Sequence, residues 1–118
     1  MDQPGATLNR GEALGILNAY RATTGARALA ADSGLDSTAQ ALASSYAQSG
    51  TPPSLPVGMV GMRVSAGYAN FAETFSGWRN SPPDAAAIAD PTAARAGLGV
   101  VYDANSGYGV YWVLLLDD

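Results

Sequence analysis

The stretch that most restricts the fold is the run of apolar residues from Val110 to Leu116, VYWVLLL, close to the C-terminus. It is much shorter than the ~20 residues that a membrane-spanning helix requires. Because its two alternating faces are both apolar, the pattern predicts a central strand that is covered on both sides. The segments GLGVVYD and YGVYWVLLL flank residues 104–107, ANSG, which is a hairpin signal. We therefore expect the last two strands to be antiparallel neighbours.

Two amphipathic helices are predicted ahead of these strands. The first begins at an Asn9 cap, with Glu12 three residues later, and ends near Gly25. The second begins at residues 32–33 and ends at Gly50. The apolar stripe of the first helix consists of Ala13, Ile16, Leu17 and Tyr20. The apolar face of the second consists of Leu35, Ala39, Leu42, Ala43 and Tyr46.

The middle of the chain has a weaker pattern. Residues 51–62, TPPSLPVGMVGM, are rich in proline and glycine and predict a long surface loop. Residues 68–75, YANFAETF, alternate with a period of two and predict a strand, and a short Ala-rich helix is expected near 84–89. The order of elements predicts an α+β fold, with helices packed on a small antiparallel sheet. We expect a single domain over residues 8–118, preceded by a loose tail at 1–7.

Composition excludes several classes of function. The chain contains neither cysteine nor histidine, which removes thiolate nucleophiles, zinc–thiolate sites and the usual catalytic triad. No metal site or cofactor is predicted, and any bound metal would have to be a hard cation held by oxygen. The formal net charge is −4, and the basic residues are scattered, so nucleic acid is not an expected partner. These residues are Arg10, Arg21, Arg27, Arg63, Arg79 and Arg95.

Six motifs in order resemble the CAP superfamily, also called the SCP or PR-1-like domain, in its short bacterial form. They are LNAYRATTGARAL (17–29), DSGLDSTAQALASSYAQSG (32–50), RVSAGY (63–68), NFAETFSG (70–77), WRNSPPDAAAI (78–88) and the closing pair ARAGLGVVYD (94–103) with YWV (111–113). The resemblance implies a three-layer α-β-α sandwich that is secreted or periplasmic, although no signal peptide is visible in the sequence. It also implies that NFAETFSG is the family's Gly-Glu-Asn strand, with Glu73 at the glutamate.

The chain departs from the family where the chemistry is expected. The family's cleft characteristically carries two histidines and two acids that can hold a divalent metal. Asp84 stands at the closing histidine, Ala85 at the arginine after it, and Leu42 at a histidine frequent in bacterial relatives. The histidine that follows the second helix has no counterpart in residues 49–56. The resemblance therefore implies that only Glu73 survives, and that the helix separating the glutamate strand from the tryptophan is missing.

Five residues are candidates for ligand contact, and for each a structural role is also open. Glu73 is either a cleft carboxylate or a structural acid bonded to loop amides, Arg63 or Arg79. Asp84 follows two prolines and precedes three alanines, which is typical of a helix N-cap. Ser81 lacks a G-x-S-x-G setting, and Tyr46 and Leu42 lie on an apolar helix face that suits the core. The candidates are Glu73, Asp84, Ser81, Tyr46 and Leu42.

Three hypotheses about function follow. The first is a non-catalytic extracytoplasmic domain, monomeric, that binds a protein partner or a small apolar ligand such as a lipid, with Met59, Val60 and Met62 offering apolar surface. The second is a carboxylate-dependent hydrolase of glycans or peptides that uses Glu73 and Asp84. The third is a structural module of a larger envelope protein.

Overall fold

The structure is a computed structural model that describes residues 10–67, 71–102 and 109–118. Within these residues the chain forms four helices and four strands. Asn9, which the sequence predicts as a helix cap, and the 104–107 hairpin loop lie outside the described residues. The elements are α1 (Arg10–Thr24), β1 (Ala30–Ala31), α2 (Ser33–Ser49), β2 (Gly61–Ala66), α3 (Phe71–Arg79), α4 (Pro82–Ile88), β3 (Arg95–Tyr102) and β4 (Val110–Asp117).

The strands form one mixed sheet in the order β1-β3-β4-β2. β3 and β4 are antiparallel, with Leu98 opposite Leu114, and β2 is antiparallel to β4, with Val64 opposite Val113. The two-residue β1 pairs in parallel with the start of β3. β4 is therefore a central strand, and every residue from Val110 to Leu116 is buried. The predicted hairpin pairing and the central position of the last strand are both confirmed.

Alternate residues of β4 contact different helix layers. Trp112, Leu114 and Leu116 belong to a buried cluster that includes residues of α1, α3 and α4. Val113 and Leu115 belong to a second cluster with Ala39 and Ala43 of α2. The sheet thus lies between α2 on one side and the other three helices on the other. The predicted α+β fold and its three layers are confirmed.

Helix α2 lies unusually close to β3 because two glycines face it. A Cβ atom built on Gly97 would lie 2.2 Å from the carbonyl carbon of Leu35, and one built on Gly99 would lie 2.5 Å from the backbone nitrogen of Gln40. Both distances are below any van der Waals contact, so only glycine allows this approach. The two glycines thus set the distance between α2 and β3.

Asp32 and Gly50 delimit α2 in the way that the sequence predicts. The Asp32 side chain accepts a hydrogen bond from the backbone N–H of Leu35, and Gly50 ends the helix with φ +72°. The capping bond from Leu35 and the ion pair with Arg95 lower the pKa of Asp32. Arg95 contacts Asp32 at 2.6 Å and Asp117 at 3.2 Å, which joins the start of α2 to the ends of β3 and β4.

Side chains of α2 also cover the outer edge of β3 beyond the short β1. Asp36 accepts a hydrogen bond from the backbone N–H of Leu98 at 2.9 Å. The Gln40 amide donates to the carbonyl of Val100 at 2.7 Å and accepts from its N–H at 3.2 Å. Gln40 thus bonds Val100 as a neighbouring strand would, which protects an edge that is otherwise open to strand pairing.

We expect Gln40→Met to lower the free energy of unfolding by about 1–3 kcal/mol, because it leaves the backbone N–H and C=O of Val100 without their partners. The variant should also self-associate more than the wild type, since the β3 edge becomes available. Urea unfolding and sedimentation velocity measure the two effects. Gln48→Met, on the exposed side of the same helix, is the matched control and should change neither quantity.

Two polar side chains fasten α1 to its neighbours. Asn18 forms a pair of hydrogen bonds with the backbone of Leu29, at 2.7 and 3.1 Å. Arg21 is fully buried, and its guanidinium donates to backbone carbonyls in the segment after α1, at the end of α4 and in the segment between α4 and β3. The four acceptors are the carbonyl oxygens of Arg27, Ile88, Asp90 and Ala93. Asn18 and Arg21 therefore both have structural roles.

The predictions for the middle of the chain need correction. The strand predicted over residues 68–75 is wrong, because the described part from Phe71 onward is the helix α3. The loop predicted over 51–62 ends at Val60, since Gly61 and Met62 already pair with β4. The short helix expected near 84–89 is α4, which begins two residues earlier at Pro82.

Candidate functional site

Glu73 lies on helix α3 and its side chain is exposed. The buried residues of this helix are Phe71, Thr74, Phe75 and Trp78, which are spaced as one face of a helix. Phe71 and Phe75 lie four residues apart, a spacing that fits both a strand and a helix. Thr74 and Trp78 decide the matter, since only a helix places them on the same face as the two phenylalanines.

Trp78 anchors α3 to the edge of the sheet. Its indole N–H donates to the carbonyl of Val64 in β2 at 3.0 Å. Its ring contacts Phe71 edge-to-face with centroids 6.0 Å apart, and Phe71 also contacts Trp112. Both tryptophans thus lie in the core, and the buried indole N–H of Trp78 has a carbonyl partner.

The position of α3 changes which segments of this chain match the strand and helix expected from the family. The helix that separates the family's glutamate strand from its tryptophan was expected to be missing, but α3 occupies that place and contains Trp78. The strand before α3 is β2, which begins Gly61, Met62, Arg63. Glu73 thus lies on a helix, and the expectation that it belongs to a strand is wrong.

Asp84 lies in the first turn of α4, where it forms an ion pair with Arg63 of β2. The Arg63 Nη1 and Asp84 Oδ1 atoms are 2.7 Å apart, and the two side chains are 28% and 31% exposed. The Arg63 Nε–H also donates to the backbone carbonyl of Met62. The N-cap position belongs to Ser81, whose side chain makes no capping bond, and Pro82 and Pro83 follow it. The prediction that Asp84 is the N-cap is therefore wrong.

Leu42 and Tyr46 lie on the sheet side of α2. Tyr46 is buried and contacts Tyr111 edge-to-face, with ring centroids 4.9 Å apart. Leu42 is half-buried and packs against the cluster of Ala39, Ala43, Val113 and Leu115. These contacts agree with the core roles considered for both residues.

Met59 and Met62 pack against the same cluster as Leu42. Val60 packs against the cluster on the opposite face of the sheet. All three side chains are half-buried, so they offer less exposed apolar surface for ligand contact than the first hypothesis about function assumed. Leu42 and Met62 thus share one apolar setting.

The structure does not bring the predicted residues into one site, because Leu42 and Met62 pack on the α2 side of the sheet, whereas Asp84 pairs with Arg63, whose side chain leaves the other face of β2. Within residues 10–67, 71–102 and 109–118, no three acidic side chains lie close enough to hold a metal ion. Asp84 has a guanidinium partner, and Glu73 belongs to the exposed face of another helix. The sequence did not predict the pairing of Arg63 with Asp84, although Arg63 is the only charged residue between Asp36 and Glu73. The packing of Leu42, Met59 and Met62 against one cluster suits contact with apolar groups.

A double-mutant cycle measures the strength of the Arg63–Asp84 ion pair. We expect Arg63→Met and Asp84→Asn to show a coupling energy of about 0.5–1 kcal/mol, because both side chains are partly solvated and surface pairs are weak. Urea unfolding of the two single variants and the double variant gives this value. A coupling energy near zero would mean that the pair does not hold α4 to β2.

Comparison with known proteins agrees with the fold. Residues 14–116 match the profile of the cysteine-rich secretory protein family, CAP. No curated protein sequence is significantly similar to the chain. None of the helices that the structure describes has the length and apolar character needed to cross a bilayer.

Several solved structures share the fold at low sequence identity. MpPR-1i soaked with selenourea superimposes with a TM-score of 0.75 at 18% identity, over 92% of this chain and 89% of that chain. An extracellular protein containing an SCP domain from Bacillus anthracis gives 0.73 at 18% identity, over 92% of this chain and 40% of that chain. An outer surface protein from Borrelia burgdorferi gives 0.70 at 15% identity, over 93% and 96%. The chain thus spans less than half of the Bacillus protein.

Proposed function

Because the chain belongs to the cysteine-rich secretory protein (CAP) family, we propose that it is a non-catalytic extracytoplasmic domain that binds a protein partner or a small apolar ligand. The observation that carries this proposal is the apolar packing of Leu42 and Met62 against one buried cluster, together with the engagement of Asp84 by Arg63. By the resemblance, Leu42 and Asp84 stand at two of the family's histidines, and we infer that Met62, on the strand before α3, stands at the glutamate. Thioether and aliphatic side chains make adaptable apolar contacts and bind hard cations poorly.

The hydrolase alternative finds less support in the geometry. A pair of carboxylates that share a glycosidic bond must both face the substrate, one as acid and the other as base or nucleophile. Asp84 is held by a guanidinium at 2.7 Å, and Glu73 is exposed on a helix that packs its other face into the core. The use of Glu73 and Asp84 in hydrolysis stays a prediction, as does a role as a structural module of a larger envelope protein.

An extracytoplasmic location is supported by what the related structures are. The Bacillus protein is described as extracellular and the Borrelia protein as an outer surface protein. The absence of cysteine means that the domain needs no oxidising compartment to form disulfides, so it can fold on either side of a membrane. Immunodetection of the protein in cell-surface and culture fractions tests the location directly.

Metal binding and turnover test the non-catalytic part of the proposal. We expect the wild type to give no heat with Zn²⁺ or Mn²⁺ in calorimetry and no release of product from peptidoglycan or casein. The positive control for both assays is an unrelated zinc hydrolase measured under the same conditions, which should give heat with Zn²⁺ and release product. Tight binding of a transition metal by the wild type, or turnover that Asp84→Asn abolishes, would overturn the proposal.

Apolar ligand binding is tested with defined probes. We expect a fluorescent fatty acid or a fluorescent sterol to bind the wild type, and Leu42→Gln to weaken that binding because it places an amide among apolar side chains. Gln48→Leu, on the exposed side of the same helix, is the control for nonspecific apolar surface. If neither probe binds and no protein partner is found, the binding function is rejected.

A further inference from the structure

The segment between α4 and β3 contains the one Asp–Pro bond of the chain, between Asp90 and Pro91. Bonds of this kind are labile in acid, because the aspartate side chain can attack its own backbone carbonyl while the proline nitrogen leaves. Proline forms a tertiary amide without an N–H, and its nitrogen accepts a proton more readily than that of other peptide bonds. Asp90 is half-buried and Pro91 is exposed, so water and acid reach the bond.

Two donors hold the carbonyl oxygen of Asp90. The guanidinium of Arg21 donates to it from Nη1 at 2.9 Å, and the backbone N–H of Ala93 donates at 3.2 Å. When a nucleophile adds to a carbonyl carbon, negative charge develops on this oxygen, and donors already in place stabilise that charge. The two donors therefore act as an oxyanion hole for attack on this bond, and one of them carries a full positive charge.

The carboxylate that would attack is held by the turn that follows it. Oδ1 of Asp90 accepts hydrogen bonds from the backbone N–H of Thr92 at 2.8 Å and from its hydroxyl at 2.7 Å. The other oxygen, Oδ2, makes no hydrogen bond with the residues that the structure describes. Oδ2 is therefore available as a nucleophile, and the side chain has already lost the rotational freedom that an attack costs.

Cleavage would also give Arg21 a charged partner. Its guanidinium is fully buried, and within the described residues its four acceptors are neutral backbone carbonyls. A buried charge is costly unless an opposite charge compensates it. Hydrolysis after Asp90 turns the carbonyl that accepts from Nη1 into a carboxylate, so the same contact becomes an ion pair. The arrangement thus favours the cleaved product as well as the transition state.

We propose that the domain cleaves its own chain between Asp90 and Pro91 in acidic solution, with Asp90 as the nucleophile and Arg21 as the donor to the oxyanion. Oδ2 attacks the backbone carbonyl carbon of Asp90, the bond from this carbon to the proline nitrogen breaks, and the nitrogen takes a proton from the solvent. One water molecule then opens the cyclic anhydride left on Asp90, which gives two carboxyl groups. This single event turns over no other substrate and is independent of the binding function proposed above.

The sheet should hold the two fragments together after cleavage. Residues 91–118 contain β3 and β4, which pair with β1 and β2 of residues 1–90. The cleaved domain should therefore keep its mass under native conditions and separate into two chains only when it is denatured.

The rate of cleavage should rise as the pH falls and level off below the pKa of Asp90, because the proline nitrogen gains a proton while the carboxylate loses its charge. Hydrogen bonds from the hydroxyl and the backbone N–H of Thr92 lower this pKa, which extends the rise to more acidic solution. The charged groups packed against the segment are Arg21 of α1, which lowers the pKa further, and Arg27, which donates to the carbonyls of Thr92 and Ala93.

Mass spectrometry of the acid-incubated protein tests the proposal. Leu55→Asp supplies an internal control, because it creates a second Asp–Pro bond in an exposed loop whose carbonyl at residue 55 is not among the acceptors of Arg21. Incubation is carried out at the lowest pH at which far-UV circular dichroism shows that the fold is intact. In this folded variant the 90–91 bond should break at least about tenfold faster than the 55–56 bond. In urea at the same pH, the two bonds should break at similar rates.

Two further variants identify the reacting groups. Pro91→Ala should abolish the fragments 1–90 and 91–118, since it removes the leaving group. Thr92→Val should slow cleavage of the folded protein, because the carboxylate loses one of the bonds that hold it. If the 90–91 bond of the folded protein breaks no faster than the 55–56 bond, or persists while the sample in urea is cleaved, the fold does not assist the attack and the proposal is wrong. Neither result affects the fluorescent-probe test of the binding function.

Discussion

Arg21→Met should lower the free energy of unfolding by about 4 kcal/mol, since it removes four hydrogen bonds to backbone carbonyls, two of them fully buried, at about 1 kcal/mol or more each. The guanidinium donates to the carbonyls of Arg27, Ile88, Asp90 and Ala93 at 2.8–3.0 Å. Burial lowers the pKa of Arg21, and the nearby Asp90 carboxylate opposes that effect. Because a domain has only about 5–15 kcal/mol of total stability, this loss should bring the protein close to unfolding.

Urea unfolding at neutral pH measures the effect, and two other variants define its origin. Arg21→Lys keeps the positive charge but loses the planar set of donors, so it should be intermediate in stability. Arg27→Met is the matched control, because Arg27 is exposed and its bonds to the carbonyls of Ala93 and Thr92 are long, at 3.4 and 3.2 Å. If Arg21→Met were no less stable than Arg27→Met, the four hydrogen bonds would not be what holds the segment between α4 and β3.

The elements that could be predicted from the sequence are those whose pattern has one structural solution. Val110–Leu116 is apolar on both faces and flanked by a hairpin signal, so a central strand was the only arrangement that could bury it. Helix α2 has a cap at each end, Asp32 and Gly50, and an apolar face between them. In both cases the signal is local and the structure agrees with it.

The elements that were missed depend on contacts between distant residues. β2 has the sequence GMRVSA, and all its residues are half-buried, so it shows neither alternation nor a continuous apolar run. Its pairing with β4 and its anchoring by Trp78 make it a strand. For α3, the alternation of YANFAETF suggested a strand, because the four-residue spacing of Phe71 and Phe75 fits a period of two as well as a helical period. Thr74 is buried although it is polar, and the period of two places it on the face opposite the two phenylalanines.

The candidate site could not be predicted correctly for the same reason. Arg63 and Asp84 lie 21 residues apart, and nothing in either local sequence predicts that β2 and α4 meet there. Asp84 resembled an N-cap because it follows two prolines, but those prolines occupy the first two positions of the helix and leave the cap to Ser81. Once β2 is recognised, Arg63 can be seen to face Asp84, while the side chain of Met62 lies on the other face of the strand and packs against the same cluster as Leu42.

Gly97→Ala should prevent α2 from packing on the sheet and lower the free energy of unfolding by about 3 kcal/mol or more, beyond the usual cost of overpacking. The added Cβ would lie 2.2 Å from the Leu35 carbonyl carbon and 2.4 Å from the Asp36 nitrogen. These are backbone atoms, so no side-chain rotation relieves the overlap and the helix itself must move away. That movement would also weaken the Asp36 hydrogen bond to Leu98.

The same substitution elsewhere in the chain should have the opposite sign. Gly15 lies on α1, and a Cβ there would meet no atom within 4 Å. Gly15→Ala should therefore raise the free energy of unfolding by about 0.5–1 kcal/mol, because alanine has the higher helix propensity. Urea unfolding of both variants isolates the effect of close packing from that of glycine itself. If Gly97→Ala were as stable as the wild type, α2 would not need its short distance to β3. The packing of the three layers would then tolerate a shift of this helix.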